Sequence, residues 1–546
     1  MSGEYDQSAR DMRDRLNKVS PSMCLAKWTQ VSLHLPSGLT QSCYHPPTHK
    51  IPLEELTDNP SALHNTKFKM YERKQMLEGT RPEGCSYCWK IEDAEGNHLS
   101  DRHYRSSEWW AAPTFDEVTN NSFDYDVTPR YVEVNFNQAC NFKCMYCSPH
   151  LSTTWQDEIE KHGPYKLSNM EHNHIESLEK RGMMPLKVST KDNPYLQAFW
   201  QWWPNVYYDL RVFRMTGGEP LMDVNTFKVL DYVYEHPHKE LELSITSNMC
   251  PPDQKLFDKF IEKVKRLDNV QYSTECYVPD PKDGTPWQTW QNYIIGSDMK
   301  KYHNSSLPSI ERSEIKQTFP KVGQCLETDD NSFTYIYNYN DKAYKHFMLF
   351  VSLDGFGEQA EYMRTGLDFD RLLQNVRTFL RETKLTSVSF INTFNIMSIP
   401  SLKKFMEMIL ELRKEFGGRA QANDKPFQRI WFDIPLLRYP PWFSVQNAGE
   451  WGIKYVERVL KYMEENVQGD DYLETFEGFK PYEILKLKRD LAIMKQELPV
   501  DQQLTNKMNF YLFIKEYDRR RGTKFNDTFP EMQQYYKECM NIAIKQ

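Results

Sequence analysis

Tyr131-Val132-Glu133-Val134-Asn135-Phe136-Asn137-Gln138-Ala139-Cys140-Asn141-Phe142-Lys143-Cys144-Met145-Tyr146-Cys147 begins as an alternating, strand-like run and breaks into a loop carrying three thiols. A C-x3-C-x2-C spacing lets one loop wrap three corners of a cubane 4Fe–4S cluster. With four irons and three cysteines, one iron keeps an open position, which suits a reactive centre better than a closed electron carrier. A zinc knuckle is the competing reading. Zinc sites usually close with four ligands, and His150, three residues past Cys147, is available as the fourth.

About seventy residues on, the run 210–215 (Leu-Arg-Val-Phe-Arg-Met) reads as a buried strand and leads into Thr216-Gly217-Gly218-Glu219-Pro220, with a helical pattern over 224–234. Two glycines let the backbone pass close to a ligand, Glu219 adds an acceptor, and Pro220 stiffens the exit. Alone, this stretch is an ordinary strand-to-helix turn. In order behind the cysteine triplet, it resembles the radical S-adenosylmethionine (SAM) superfamily. The resemblance implies that Cys140, Cys144 and Cys147 hold a 4Fe–4S cluster and that Gly217, Gly218, Glu219 and Pro220 meet the methionine amino group of SAM. Two later stretches fit in order: 241–248, ending in Ser247-Asn248, and 347–355, ending in Ser352-Leu353-Asp354-Gly355, with Arg364 following. In peptide-modifying relatives, the serine of the S-x-D-G strand and a following arginine bind the ribose and carboxylate of SAM, which points to Ser352 and Arg364. Tyr146 matches the aromatic that packs near adenine. The ordinary readings are a helix cap for Ser247 and Asn248, a surface charge for Arg364 and a core side chain for Tyr146.

A second thiol set comes first in the chain. Cys24-x13-Gly38-x4-Cys43, followed by Cys85-Ser86-Tyr87-Cys88, resembles the Twitch or SPASM module that holds an auxiliary Fe–S cluster. In most such proteins the module follows the barrel; its position here resembles the N-terminal-Twitch subgroup. Structural zinc on four paired thiols is the rival, and His45 is positioned to replace one cysteine. Of the eleven cysteines, Cys250, Cys276, Cys325 and Cys539 remain, and buried free thiols are their default description.

Thiol clusters need a reducing compartment. The charged first twenty residues lack a signal-peptide core, and no apolar run reaches membrane-spanning length, so a cytoplasmic location is expected. A net charge of −8 gives no broad footprint for nucleic acid, and Arg519-Arg520-Arg521 reads as a solvated face. The aromatic group 199–203 reads as a helix face that Pro204 ends.

Strand–helix alternation begins at Tyr131. Candidate strands are 131–137, 210–215, 241–247, 346–353, 385–394 and 428–434, with helical patterns at 253–267, 368–381 and 401–416. The expected fold is α/β, a partial (β/α)6, TIM-like barrel over 126–440, with ligands at the carboxyl ends of the strands. The N-terminal cluster module occupies 1–125 and a helical C-terminal region 441–546. Insertions at 164–205 and 270–345 interrupt the alternation, the second expected over the active face as a lid or binding loop. Asp433 on the last strand is a candidate general base. The resemblance implies reductive cleavage of SAM to a 5′-deoxyadenosyl radical that abstracts hydrogen from a substrate, with electrons from a donor such as flavodoxin or ferredoxin. A peptide or protein substrate is expected by analogy with Twitch and SPASM relatives. A nucleotide, sugar or other small molecule is the alternative, and a non-catalytic Fe–S or zinc scaffold the third reading.

Overall fold

The structure, a computed structural model, describes residues 2–95, 98–168, 172–278, 293–295, 301–303, 322–327, 333–384, 386–417, 428–468 and 476–545, with side chains left out at 2–5 and 273–339. Among these residues, nine strands form one open sheet: β1 Gln30–His34, β2 Leu39–Gln41, β3 His49–Lys50, β4 Tyr131–Asn135, β5 Val212–Thr216, β6 His238–Ser247, β7 Tyr344–Ser352, β8 Thr386–Ile391 and β9 Ile430–Asp433. Strands β4 to β9 are the six read from the alternation. They lie side by side in chain order, all parallel.

The register gives this sheet two unlike faces. One row across it reads Leu33, Val134, Met215, Ile245, Leu349, Val388 and Ile430, none more than 1% exposed. The neighbouring row, on the opposite face, reads Ser32, Glu133, Arg214, Ser244, Met348 and Ser387. Parallel sheets covered by helices on both faces read as continuous apolar runs; these strands alternate. An unreversed strand order with crossovers of one hand explains why, because it brings every helix to the same side. Helices Val224–Glu235, Gln254–Leu267, Phe369–Glu382 and Leu402–Phe416 follow strands β5, β6, β7 and β8 in turn. Their buried aromatics meet the apolar face, with Phe260 6.2 Å from Phe347 and Phe405 6.3 Å from Phe390 between ring centroids.

Residues 1–125 are continuous with this sheet. Strand β1 pairs in parallel with β4, and β2 and β3 extend the edge in antiparallel fashion. Gly38, in the β1–β2 turn, has φ of +65°, and a Cβ there would fall 2.0 Å from the Tyr195 ring, so both the turn and the contact exclude a side chain.

Three expectations change. Pro204 does not end the aromatic helix but sits inside Pro194–Val206, in its last turn. Five strands of the 270–345 insertion, Val270–Val278, Tyr293–Ile295, Lys301–His303, Val322–Glu327 and Phe333–Asp341, pair antiparallel in a separate sheet. The base of that sheet lies at the amino ends of β6 and β7, where Ala343 N–H donates to Leu267 and His238 N–H to Ala343. The insertion is therefore rooted at the end of the strands opposite the cysteine loop, because it follows a returning helix instead of a strand. Thirdly, the Arg519–Arg521 run is not a solvated face. Only Arg519 is exposed, while the Arg520 and Arg521 side chains are 2% and 3% exposed and pair with Glu158. The helical C-terminal region contains Gly449–Glu465, Pro481–Met494, Val500–Arg521 and Gln533–Lys545.

Candidate functional site: two thiol sites on one sheet

The three-cysteine loop leaves the carboxyl end of β4, and the Gly217-Gly218 stretch leaves the neighbouring end of β5. The two are packed together. Gly218 N–H donates to the Asn137 carbonyl at 3.2 Å and Glu219 N–H to the Ala139 carbonyl at 2.7 Å. A Cβ on Gly218 would lie 2.2 Å from the Ala139 oxygen, and one on Gly217 would lie 2.4 Å from Asn135 Oδ1. In this structure the glycines therefore clear room for the base of the cysteine loop.

Each thiol sits among donors. Phe142 N–H donates to Cys140 Sγ at 3.4 Å, and Arg364 donates to Cys144 Sγ at 3.3 Å. Cys140, Cys144 and Cys147 are all partly exposed. Burial and the neighbouring Cys144 push the Cys140 thiol up to about 12. Burial also raises Cys144, against the pull of Arg364, and raises Cys147 together with Cys144 and Cys140. Three thiols gathered beside N–H and guanidinium donors are a set whose thiolates cationic iron would stabilise, displacing the protons that burial holds on them. The residues present fit a thiolate-bound cluster.

Arg364 comes from the short pairing of residues 364–365 with 143–144, which a Met145 N–H to Met363 carbonyl bond of 2.9 Å extends. Its Nε is 2.7 Å from Asp354 Oδ2, and another nitrogen donates to the Tyr146 hydroxyl at 2.6 Å. Tyr146 in turn donates to Asp354 at 2.8 Å, while the second Asp354 oxygen accepts from Thr393 N–H at 2.9 Å. The two terminal guanidinium nitrogens thus donate to protein groups, while Nε lies at ion-pair distance from Asp354 without a hydrogen bond. The side chains placed at a SAM carboxylate and at adenine form, in this structure, a buried lock on Cys144.

Glu219 is 1% exposed and accepts from Ser247 Oγ at 2.8 Å, Asn248 N–H at 2.7 Å and Leu221 N–H at 3.0 Å. Ser247 and Asn248 also shape the turn after β6, through Met249 N–H and Cys250 N–H, rather than capping a helix. Ser352 is half-buried on the polar face in register with Ile391. Asp433 ends β9 beside Lys486 Nζ and is 39% exposed, so it is an ion-paired surface carboxylate, not a buried base.

Burial raises Glu219 to about 7, against the hydrogen bonds from Asn248, Leu221 and Ser247. A carboxyl raised in the folded state stabilises the fold below its unfolded pKa and loses that contribution as pH climbs through the folded one. Between about pH 4.5 and 7 the apo-protein should lose roughly 3 kcal/mol from this group. In urea titrations at pH 4.5 and 7.5, Glu219→Gln should remove that part of the slope. An unchanged slope would place the titration elsewhere.

The N-terminal thiols converge as well. Cys24, Cys43, Cys85 and Cys88 line one pocket with Lys27, His45, Trp89, Asp101, Arg102 and Arg105. His45 is engaged by Asp101 at 2.5 Å and stacks on Tyr87, so the four thiols form the sulfur set without it. Burial pushes Cys43 up to about 12, raises Cys24 against the pull of Arg102 and Lys27, and together with Cys24 raises Cys85 and Cys88. Among the described residues, no three His, Cys, Asp or Glu side chains draw close enough to grip a single ion. The four thiols surround a volume lined by cations, a donor set that fits an anionic cluster. Cys250 and Cys539 are buried free thiols, as expected, and the side chains of Cys276 and Cys325 lie outside the described residues.

Pattern reading missed the groups between the two sites. Tyr44, next to Cys43, meets Tyr131 hydroxyl to hydroxyl. Beside Tyr131 in the sheet, Arg214 lies 3.5 Å from Glu133, donates to Thr246 at 3.0 Å and stacks over Phe350 at 4.2 Å. Polar residues at every second position of β4 and β5 were the available signal. The helix Val500–Arg521 was also missed as part of the site. Arg520 and Arg521 hold Glu158 on the helix after the cysteine loop, and Tyr517 donates to the Tyr362 carbonyl just before Arg364.

No protein-family model matches the chain. A protein named GTP 3′,8-cyclase from Crocosphaera subtropica is 24% identical over 198 residues, 34% of this chain and 49% of that protein. One of the same name from Trichodesmium erythraeum is 23% identical over 197 residues, 34% of this chain and 51% of that protein. The chain thus spans about half the length of the curated relatives it matches. A solved structure described as native anSMEcpe with bound AdoMet is 13% identical, covering 76% of this chain and 98% of that one, at a TM-score of 0.28. That score is too low for a shared fold to follow. No described helix is long and apolar enough to cross a membrane.

Proposed function

We propose that this protein is a radical SAM enzyme built on a partial (β/α)6 barrel, with a 4Fe–4S cluster on Cys140, Cys144 and Cys147 and an auxiliary Fe–S cluster on Cys24, Cys43, Cys85 and Cys88. The observation that carries the reading is the packing of the Gly217-Gly218-Glu219 stretch against the base of the three-thiol loop, both at carboxyl ends of parallel strands. When bound, such a cluster supplies an electron and an open iron for reductive cleavage of SAM to a 5′-deoxyadenosyl radical. The chain's own residues fix the thiols, shield them and hold charge nearby: Arg364 on Cys144, Glu219 behind the turn, and Thr153 on the Cys140 backbone. The electron donor is of the flavodoxin or ferredoxin kind.

For the substrate, a nucleotide or other small molecule has a named relative behind it, the GTP 3′,8-cyclases matched over a third of the chain. No comparable similarity supports a peptide. The polar sheet face around Arg214 and Thr246 is the surface on which the substrate would lie.

Anaerobic reconstitution followed by SAM and dithionite tests the assignment. The expected result is about eight irons per chain, two cubanes of four, with 5′-deoxyadenosine detected by mass spectrometry. About four irons and one zinc would return the N-terminal set to a structural role. Full iron loading without SAM cleavage would reject the enzyme. Stimulation of deoxyadenosine formation by guanosine nucleotides, against a peptide library, separates the substrate classes.

A further inference from the structure

The four-thiol pocket contains an ammonium group that thiol ligation does not require. Lys27 follows Cys24 by three residues, its amide donating to the Cys24 carbonyl at 3.2 Å, and its side chain lines the pocket with all four cysteines. That side chain is 2% exposed, and Nζ lies 2.7 Å from Glu72 Oε2. An ammonium is buried at heavy cost unless anions surround it.

The neighbouring cations are each held by partners of their own. Lys69 and Arg73, on the same helix as Glu72, donate to His64 and to the carbonyls of Gln30 and Lys27. Arg102 is fixed by both oxygens of Glu92 and by the Met23 carbonyl, and Arg105 lies over the Tyr44 ring. Asp101 is taken by His45. Lys27 is therefore the ammonium at the sulfurs, beside the Arg102 guanidinium that also lines the pocket.

We infer that Lys27 is a redox-positioning residue: its ammonium, aimed from Glu72 at the thiol pocket, raises the reduction potential of the auxiliary iron–sulfur cluster. The inference rests on the auxiliary-cluster reading proposed above. A four-thiolate cubane is net anionic, so adding an electron deepens a negative charge that a fixed cation stabilises. Such a cluster can accept an electron during turnover, which a purely structural centre need not do. Tyr44, beside Cys43 and hydrogen-bonded to Tyr131 on the polar face, places the pocket next to the sheet surface where a substrate would lie.

The test is an anaerobic redox titration of the reconstituted full chain, following each cluster by electron paramagnetic resonance. Lys27→Met should make reduction of the auxiliary cluster about tenfold less favourable, a fall of ~59 mV for one electron, with the other cluster unmoved. Lys27→Arg should restore most of the shift. Should Lys27→Met lose iron, Glu72→Gln decides: it keeps the ammonium, removes the counter-charge, and should move the potential upward. A reducible N-terminal cluster whose potential ignores both changes overturns the inference alone. Zinc in the pocket overturns the cluster reading and the inference with it.

Discussion

Cys144→Ala should yield a folded protein that binds about four irons in place of about eight and forms no 5′-deoxyadenosine above background. Among the three loop cysteines, Cys144 is the one whose sulfur meets a guanidinium, and its backbone carbonyl accepts from Trp155 Nε1 at 2.8 Å. Alanine keeps that backbone anchor and deletes only the sulfur. The remaining two thiols cannot hold a cubane in place. Cys539→Ala, a buried cysteine in the last helix, is the matched control and should retain all iron and full SAM cleavage. Deoxyadenosine from the Cys144 variant at the control's rate would remove the loop from the chemistry.

The second large effect concerns the lock behind that thiol. Arg364→Ala removes the partner of Asp354, a carboxylate that is 0% exposed, and leaves its charge buried. Breaking such a pair costs about 3–5 kcal/mol. Arg364→Lys should recover only part of this, since a point charge cannot meet Asp354, Tyr146 and Cys144 in three directions at once. Urea denaturation of the apo-protein reads the loss, and anaerobic calorimetry with SAM provides the counter-test. A variant of unchanged stability that binds SAM ten- to a hundredfold more weakly, the size of one charge-assisted hydrogen bond, would return Arg364 to the carboxylate-binding role that its place in the sequence suggests.

Sequence was most informative where one face of a strand is buried and the other is not. In β4 to β9 the apolar residues recur at every second position, and the sites follow because each loop leaves a carboxyl end. Strand β1 carries the same alternation, Gln-Val-Ser-Leu-His, yet its parallel partner begins about a hundred residues away, and no local pattern reports such a pairing. Arg520 and Arg521 look like solvent-facing charges because the carboxylate that draws them inward, Glu158, belongs to a distant helix. Arg364 illustrates the same limit. Its position in the chain suggests a ligand contact, while its orientation depends on Asp354 and Tyr146, which only the folded backbone brings to it.

The parallel seam between β1 and β4 also fixes an order of assembly. The first thirty-four residues cannot dock until Tyr131–Asn135 has been synthesised and has found its place, because β1 has no other parallel neighbour among the described strands. Closing a loop of that length is slow, though its entropic cost grows only with the logarithm of its size. Until then Cys24 and Cys43 lie on a chain segment without its sheet, while Cys85 and Cys88 emerge from the ribosome later. Loading of the cluster proposed for the amino-terminal pocket would thus wait for β4, and a nascent chain stalled before residue 131 should capture no cluster there.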